Sequence, residues 1–220
     1  MMIPNHHPIN PDGLVLWLDY LNTGSVAATG TWKDYSGLGN HGTLLNDAYV
    51  DASGWRGDNT GTAAYIYNAA SLQLTSEITM MAWVYATADP GIDGYIFAKR
   101  SGSTHDYSMR YDFNLEELEM YWSGAGRSLV ATLSQDTWTH FCVTANTTQI
   151  KAYKNGTLIT TLNGTYASTT SNSVPLWVGS SSLSPAPYYG WIGMLNDLCV
   201  YNRVLAAGEI QNKYQRTLRA

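Results

Sequence analysis

The sequence predicts an all-β protein, a sandwich or barrel with one short helix near the C-terminus, and three observations carry that reading. Short apolar or alternating runs recur along the chain between Gly, Ser, Asn and Pro, leaving no room for the long helical crossovers of a parallel sheet. Residues 151–159 place Asn155-Gly156 between two such runs, and Asn-Gly supplies the two positive-φ residues of a type I′ hairpin turn. Hydrophobic residues make up 45% and aromatics 12%, against 13% charged, a balance that suits a large buried core and excludes a disordered chain or a coiled coil.

Residues 1–12 hold Pro4, Pro8 and Pro11 among polar spacers, which predicts an extended N-terminal arm, with one domain over 13–220. Strands are expected at 14–18, 64–67, 78–85, 95–99, 107–111, 118–122, 139–145, 150–154, 157–161, 176–178 and 194–201. The run 78–85 is almost continuously apolar and is expected to be a central strand buried on both faces, with Pro90 and Gly91 marking its exit. A helix is expected at 205–214, where Leu205, Ile210 and Tyr214 fall at helical spacing.

The net charge of −5, with no run of Lys or Arg, argues against a nucleic-acid partner. No apolar stretch is long enough to span a bilayer, and the first residues lack the basic and apolar regions of a secretory signal. The expected location is a virion surface, or the cell exterior by another route, and otherwise the cytoplasm. Cys142 and Cys199 read as buried thiols. His140 alternates onto the face of Cys142 and Trp138, a pattern of core packing; Trp17, Trp83 and Trp177 also sit in apolar runs and are expected inside.

Five segments in order resemble the laminin-G-like, concanavalin A-like jelly-roll family: 14–19 (LVLWLD), 34–42 (DYSGLGNHG), the strand 78–85, Trp138-Thr139-His140-Phe141 with the Asn155-Gly156 turn, and the closing 191–203 (WIGMLNDLCVYNR). The resemblance covers nearly all of the chain after the arm. It implies a jelly-roll sandwich of two antiparallel sheets and, because many members hold a structural Ca²⁺ between the first and last strands, points to Asp19 and Asn196 as ligands, with Asn196 standing where the family usually has Asp. It also sets Ala206 where relatives usually place a helix-capping Ser, which predicts a fraying first turn weakened by about 1 kcal/mol. In the 34–42 loop, Asp34 and Asn40 read as locks of a tight turn, and His41, lacking a ligand set, is no catalytic candidate.

Glu117 and Glu119 would share a strand face, as a glycoside hydrolase needs, but the resembling glucanases carry three alternating acids where Tyr121 takes the third place here; this acidic stretch is read as a solvated hairpin. Eight Trp and sixteen Tyr exceed the needs of one core, so recognition is expected at aromatic loops. The candidate ligand-binding residues are Tyr188 and Tyr189 in the Pro-rich loop before Trp191, Tyr121 and Trp122, and Trp55 with Asp58. The expected function is a non-catalytic recognition or adhesion module that binds carbohydrate, not an enzyme. The alternative is a structural or decoration subunit of a virion or other assembly, with protein partners or a second copy of the chain; the weaker alternative is the hydrolase.

Overall fold

Period-two alternation and glycine-rich breaks build nearly every element. The structure is a computed structural model describing residues 10–19, 30–51, 53–58, 62–67, 69–89, 91, 93–101, 104–122, 125–129, 131–166, 173–181 and 189–217. Among these the strands are β1 (Leu14–Leu18), β2 (Thr31–Trp32), β3 (Gly42–Leu45), β4 (Tyr49–Asp51), β5 (Gly54–Asp58), β6 (Ala63–Ile66), β7 (Ile78–Ala86), β8 (Asp93–Ser101), β9 (Thr104–Asp112), β10 (Glu117–Trp122), β11 (Ala125–Ser128), β12 (Thr139–Ala145), β13 (Gln149–Lys154), β14 (Thr157–Asn163), β15 (Leu176–Val178) and β16 (Ile192–Tyr201), followed by the helix α1 (Ala207–Thr217).

They form two antiparallel sheets of eight strands. The first runs β14-β13-β12-β7-β16-β5-β4, with β1 also paired to β16, and the second runs β11-β10-β9-β8-β15-β6-β3-β2. Apolar side chains from the facing surfaces, among them Trp32, Trp55, Phe97, Tyr107, Trp122, Phe141 and Trp191, fill the space between them. β7 lies between β12 and β16 and is buried along almost its whole length, as its apolar run requires. The hairpin turn has φ of 50° at Asn155 and 76° at Gly156, and the Asn155 side chain accepts the His140 N–H at 2.9 Å.

Five strands fall outside the predicted set, and β5 shows why. Its Gly54 and Gly57 read as turn residues, yet both are there for close approach: a Cβ on Gly54 would lie 2.5 Å from the Leu195 carbonyl oxygen, and one on Gly57 would lie 2.3 Å from the Trp55 ring. Gly179 makes room for the same indole. The 34–42 loop is held as a tight turn. One Asp34 oxygen accepts the N–H groups of Trp17 and Ser36, the other accepts the Asn40 N–H and the Ser36 hydroxyl, and Asn40 donates to the Val15 carbonyl at 2.6 Å. His41, exposed, accepts the Asp34 N–H at Nδ1.

The outer face of the first sheet is closed by α1 over Leu14, Trp17, Met81, Cys142, Tyr153, Cys199 and Tyr201, into which Leu205 and Ile210 pack. Cys142 and Cys199 both stand opposite Met81 in the strands on either side of β7, two strand spacings or about 10 Å apart, beyond disulfide reach. The fraying expected at Ala206 is countered by a carboxylate. Glu209 reaches back to accept the Ala206 N–H at 2.9 Å, as in a capping box, and is gripped by Arg203 at 2.7 and 3.0 Å and by Asn10 at 3.0 Å. The helix ends three residues later than its periodicity predicts, because Thr217 accepts the Trp83 indole N–H at 2.9 Å.

Candidate functional site

Polar side chains gather on the outer face of the second sheet. In β10, Glu117, Glu119 and Tyr121 point outward while Leu118, Met120 and Trp122 enter the core. Register places Arg110 of β9 beside Glu119, and Tyr95 of β8 on its other side. The Arg110 guanidinium donates to Glu119 at 2.5 Å and to Asp93, all three side chains being only 14–15% exposed. Burial pushes the Asp93 carboxyl up, against the pull of Arg110.

Aromatic rings frame this ion-paired centre. His105 stacks on Tyr121 with ring centres 4.0 Å apart and on Tyr95 at 6.1 Å, and its Nδ1 shares a 2.9 Å hydrogen bond with the Ser108 hydroxyl. Burial, then Arg100 and Arg110, push its pKa down to about 4, so the ring is neutral near pH 7. Arg110 lies over the faces of Tyr121 and Tyr95, at 5.0 and 5.6 Å, and Arg100 over Tyr95 at 5.6 Å. Tyr189 closes the edge: its carbonyl accepts the Tyr95 N–H at 3.1 Å and its ring meets that of Tyr95 edge-on at 6.3 Å. These residues line an open cavity of about 230 Å³.

Of the residues singled out in the sequence, Tyr121 and Tyr189 meet in this cavity. Tyr188 lies outside the described residues. Trp55 and Trp122 are wholly buried, which corrects their reading as surface aromatics: alternation in β10 turns Trp122 inward beside an outward Tyr121, and the glycines around Trp55 let its ring sink between the sheets. Asp58 is exposed at a separate cavity of about 290 Å³ with Tyr49, Arg56 and Thr62. Trp138 and Trp177, expected inside, are half-buried, Trp177 meeting Tyr65 edge-on at 5.1 Å on the second sheet's outer face. The sequence reading missed Asp93, Tyr95, Arg100, His105 and Arg110; the available signal was a lone Arg at an outward position among the aromatics of 107–111.

Glu117 and Glu119 do share a face, but each is engaged separately, Glu119 by Arg110 and Glu117 by the Ser128 hydroxyl. The calcium position inferred from the family is built from buried residues, Asp19 and Asn196. Beside them Lys213 of α1 donates to Asp197 at 2.8 Å, the same oxygen that accepts the Trp17 indole N–H at 2.8 Å. Asp197 and Asp19 hold the Lys213 ammonium well above its usual range against the pull of burial. The ammonium thus offsets the charge of Asp197 through one oxygen, while among the described residues the other Asp197 oxygen is buried without a hydrogen-bond partner. Among the described residues no group of three or more His, Cys, Asp or Glu could hold a metal ion, and no helix is long and apolar enough to cross a membrane.

No curated protein sequence matches the chain. Solved structures match its fold. Trypanosoma rangeli sialidase aligns at 17% identity and TM-score 0.69, over 92% of this chain and 32% of its own. The binding domain of Paraclostridial Mosquitocidal Protein 1 aligns at 16% identity and TM-score 0.71, over 93% and 52%. The receptor binding domain of botulinum neurotoxin mosaic serotype C/D aligns at 14% identity and TM-score 0.71, over 94% and 51%. The chain thus spans about a third of the sialidase and half of the toxin chains. The sialidases correct the expectation that the protein is not an enzyme, because enzymes carry this fold too and the likeness gives no ground for excluding catalysis. The family profile described as the concanavalin A-like lectin/glucanases superfamily matches residues 58–211, most of the two-sheet body described above, and the chain belongs to that family.

Proposed function

We propose that the protein binds carbohydrate, in the cavity on the outer face of the second sheet. The observation that carries this reading is the meeting of Tyr121, His105, Tyr95 and Tyr189 around the Arg110 ion pairs. A sugar ring presents an apolar C–H face and a rim of hydroxyls. Tyr121 and Tyr189 offer the first aromatic carbon at the cavity wall, and Asp93 and the guanidinium offer the second an acceptor and donors already fixed in place. Such preorganisation lowers the entropic cost of binding. Membership in a lectin and glucanase superfamily, and fold likeness to a sialidase and to toxin binding domains, support the same ligand class.

The test is a broad glycan panel presented multivalently, since single-site affinity is expected to be modest. Binding by the unaltered protein that is lost in Tyr121→Ala, with near-ultraviolet circular dichroism unchanged, supports the reading. Binding that survives this substitution moves the site elsewhere, and Asp58→Ala then tests the second cavity.

A further inference from the structure

The row of residues that carries Tyr121 does not end at the cavity. Register sets Tyr121 of β10 opposite Ser108 of β9, Ser108 opposite Ala98 of β8, Ala98 opposite Trp177 of β15, and Trp177 opposite Tyr65 of β6. Residues directly opposite across a sheet share a face. The row therefore crosses five strands on the outer face of the second sheet, with an aromatic pair at each end: Tyr121 with His105 at one, Trp177 with Tyr65 at the other. No position of the row is charged, from Thr43, opposite Tyr65 in β3, to Gly126, opposite Tyr121 in β11.

The middle of the row is small and its far end is aromatic. Ala98 and Ser108 are wholly buried, and the His105 ring, stacked on Tyr121 and sharing a 2.9 Å hydrogen bond with Ser108, continues the aromatic surface from β10 onto β9. In β15, Leu176 and Val178 enter the core, so alternation turns the Trp177 indole outward, half-buried, where it meets Tyr65 edge-on at 5.1 Å. Tyr67, two residues beyond Tyr65, is 75% exposed. Aromatic surface left to water beside a cavity has the composition of a recognition surface. Three strand spacings, about 14 Å, separate Tyr121 from Trp177, farther than one sugar ring reaches.

We propose that the cavity is one end of a longer groove that binds an oligosaccharide chain lying across the strands, with one sugar at Tyr121 and another, farther along the chain, on the Trp177–Tyr65 pair. This rests on the carbohydrate reading above and adds the length of the ligand and a second contact. The linked sugars between pass over Ala98 and Ser108, where the row raises no bulky side chain. The second contact is made by a chain already held at the first, so it adds affinity without a second loss of translational freedom.

The test is a titration of the intact protein, followed by protein NMR, with cellobiose and cellohexaose, laminaribiose and laminarihexaose, maltose and maltohexaose, and chitobiose and chitohexaose. In at least one series the hexasaccharide is expected to bind about 5- to 10-fold more tightly than its disaccharide. It is also expected to shift the Trp177 indole N–H signal, identified from the spectrum of Trp177→Phe, which the disaccharide leaves unmoved. Trp177→Ala is expected to bring the hexasaccharide down toward the disaccharide's affinity, and Tyr65→Ala to lower it less. A hexasaccharide that binds no better than its disaccharide, or that leaves the Trp177 signal unmoved, overturns the proposal and leaves the carbohydrate reading standing. Hexasaccharide binding that is lost in Trp177→Ala but kept in Tyr121→Ala overturns both, since the cavity then takes no part. A folded protein that binds no member of the four series overturns the proposal, and the broad glycan panel decides the carbohydrate reading separately.

Discussion

The two sheets treat their outer faces in opposite ways. On the first, α1 seals the surface, and the ion pair beneath it, Lys213 with Asp197, is 4% and 3% exposed and shares its acceptor oxygen with the Trp17 indole. On the second, the Arg110 ion pairs stay 14–15% exposed and open into a cavity. Both arrangements place a cation between carboxylates on a β-surface, but only the second leaves water and a ligand an approach. Charge alone does not make a site; what lies over it decides whether it fastens the fold or meets a partner.

The largest effect that separates the faces is expected at Lys213. Replacing it with Met leaves Asp197 buried without its cation and should cost about 3–5 kcal/mol in urea unfolding, with most of the loss recovered when Asp197→Asn is added. A loss below about 1 kcal/mol would mean that water reaches this pair after all. Arg110→Met is expected to cost less, about 1–3 kcal/mol, because Asp93 and Glu119 can turn toward solvent, but it should abolish saccharide binding, which Lys213→Met with Asp197→Asn should leave intact. Glycan titration of both variants beside the unfolding curves sharpens or breaks the contrast.

Acid should act on both faces through histidine. Burial pushes His140 down to about 4, with Asp197 opposing and Lys213 assisting, and among the described residues neither ring nitrogen has a hydrogen-bond partner where the ring packs against Trp83 and Tyr214. His105 is likewise held down to about 4. Each therefore takes up its proton more readily in the unfolded chain. The stability each provides is complete above the ordinary value of 6.5 and is lost as pH falls from there through about 4. His140→Phe should flatten the dependence of the urea midpoint on pH over that window more than His105→Phe does, because water can follow a proton into the open cavity. Equal flattening would erase the distinction between a sealed and an open face. The smallest effect is expected at Ala206→Ser, which completes a capping box of which Glu209 already forms half, and should stabilise α1 by about 0.5 kcal/mol in thermal unfolding.

Hydrophobic pattern made most of the architecture legible. The strands at β7, β12 and β15 begin where the alternation or the apolar run predicts, and the Asn155-Gly156 turn has the backbone that its residue types require. β5 was hidden because its glycines serve close packing against Trp55 and Leu195, which looks in sequence like a turn. The candidate site was half legible. Tyr121 and Tyr189 stood out as aromatics near breaks, whereas Trp55 and Trp122 carried the same signal and went to the core.

The sequence by itself determined the all-β class, the central strand, the hairpin and the turn locked by Asp34. Each is set by local backbone preference or by the period of apolar residues along one strand. Tertiary structure alone decided that Arg110 lies between Glu119 and Asp93, that His105 stacks on Tyr121, and that Lys213 reaches Asp197 from a helix sixteen residues away. These meetings depend on which strands become neighbours and in what register, and no local pattern encodes the partner across the sheet.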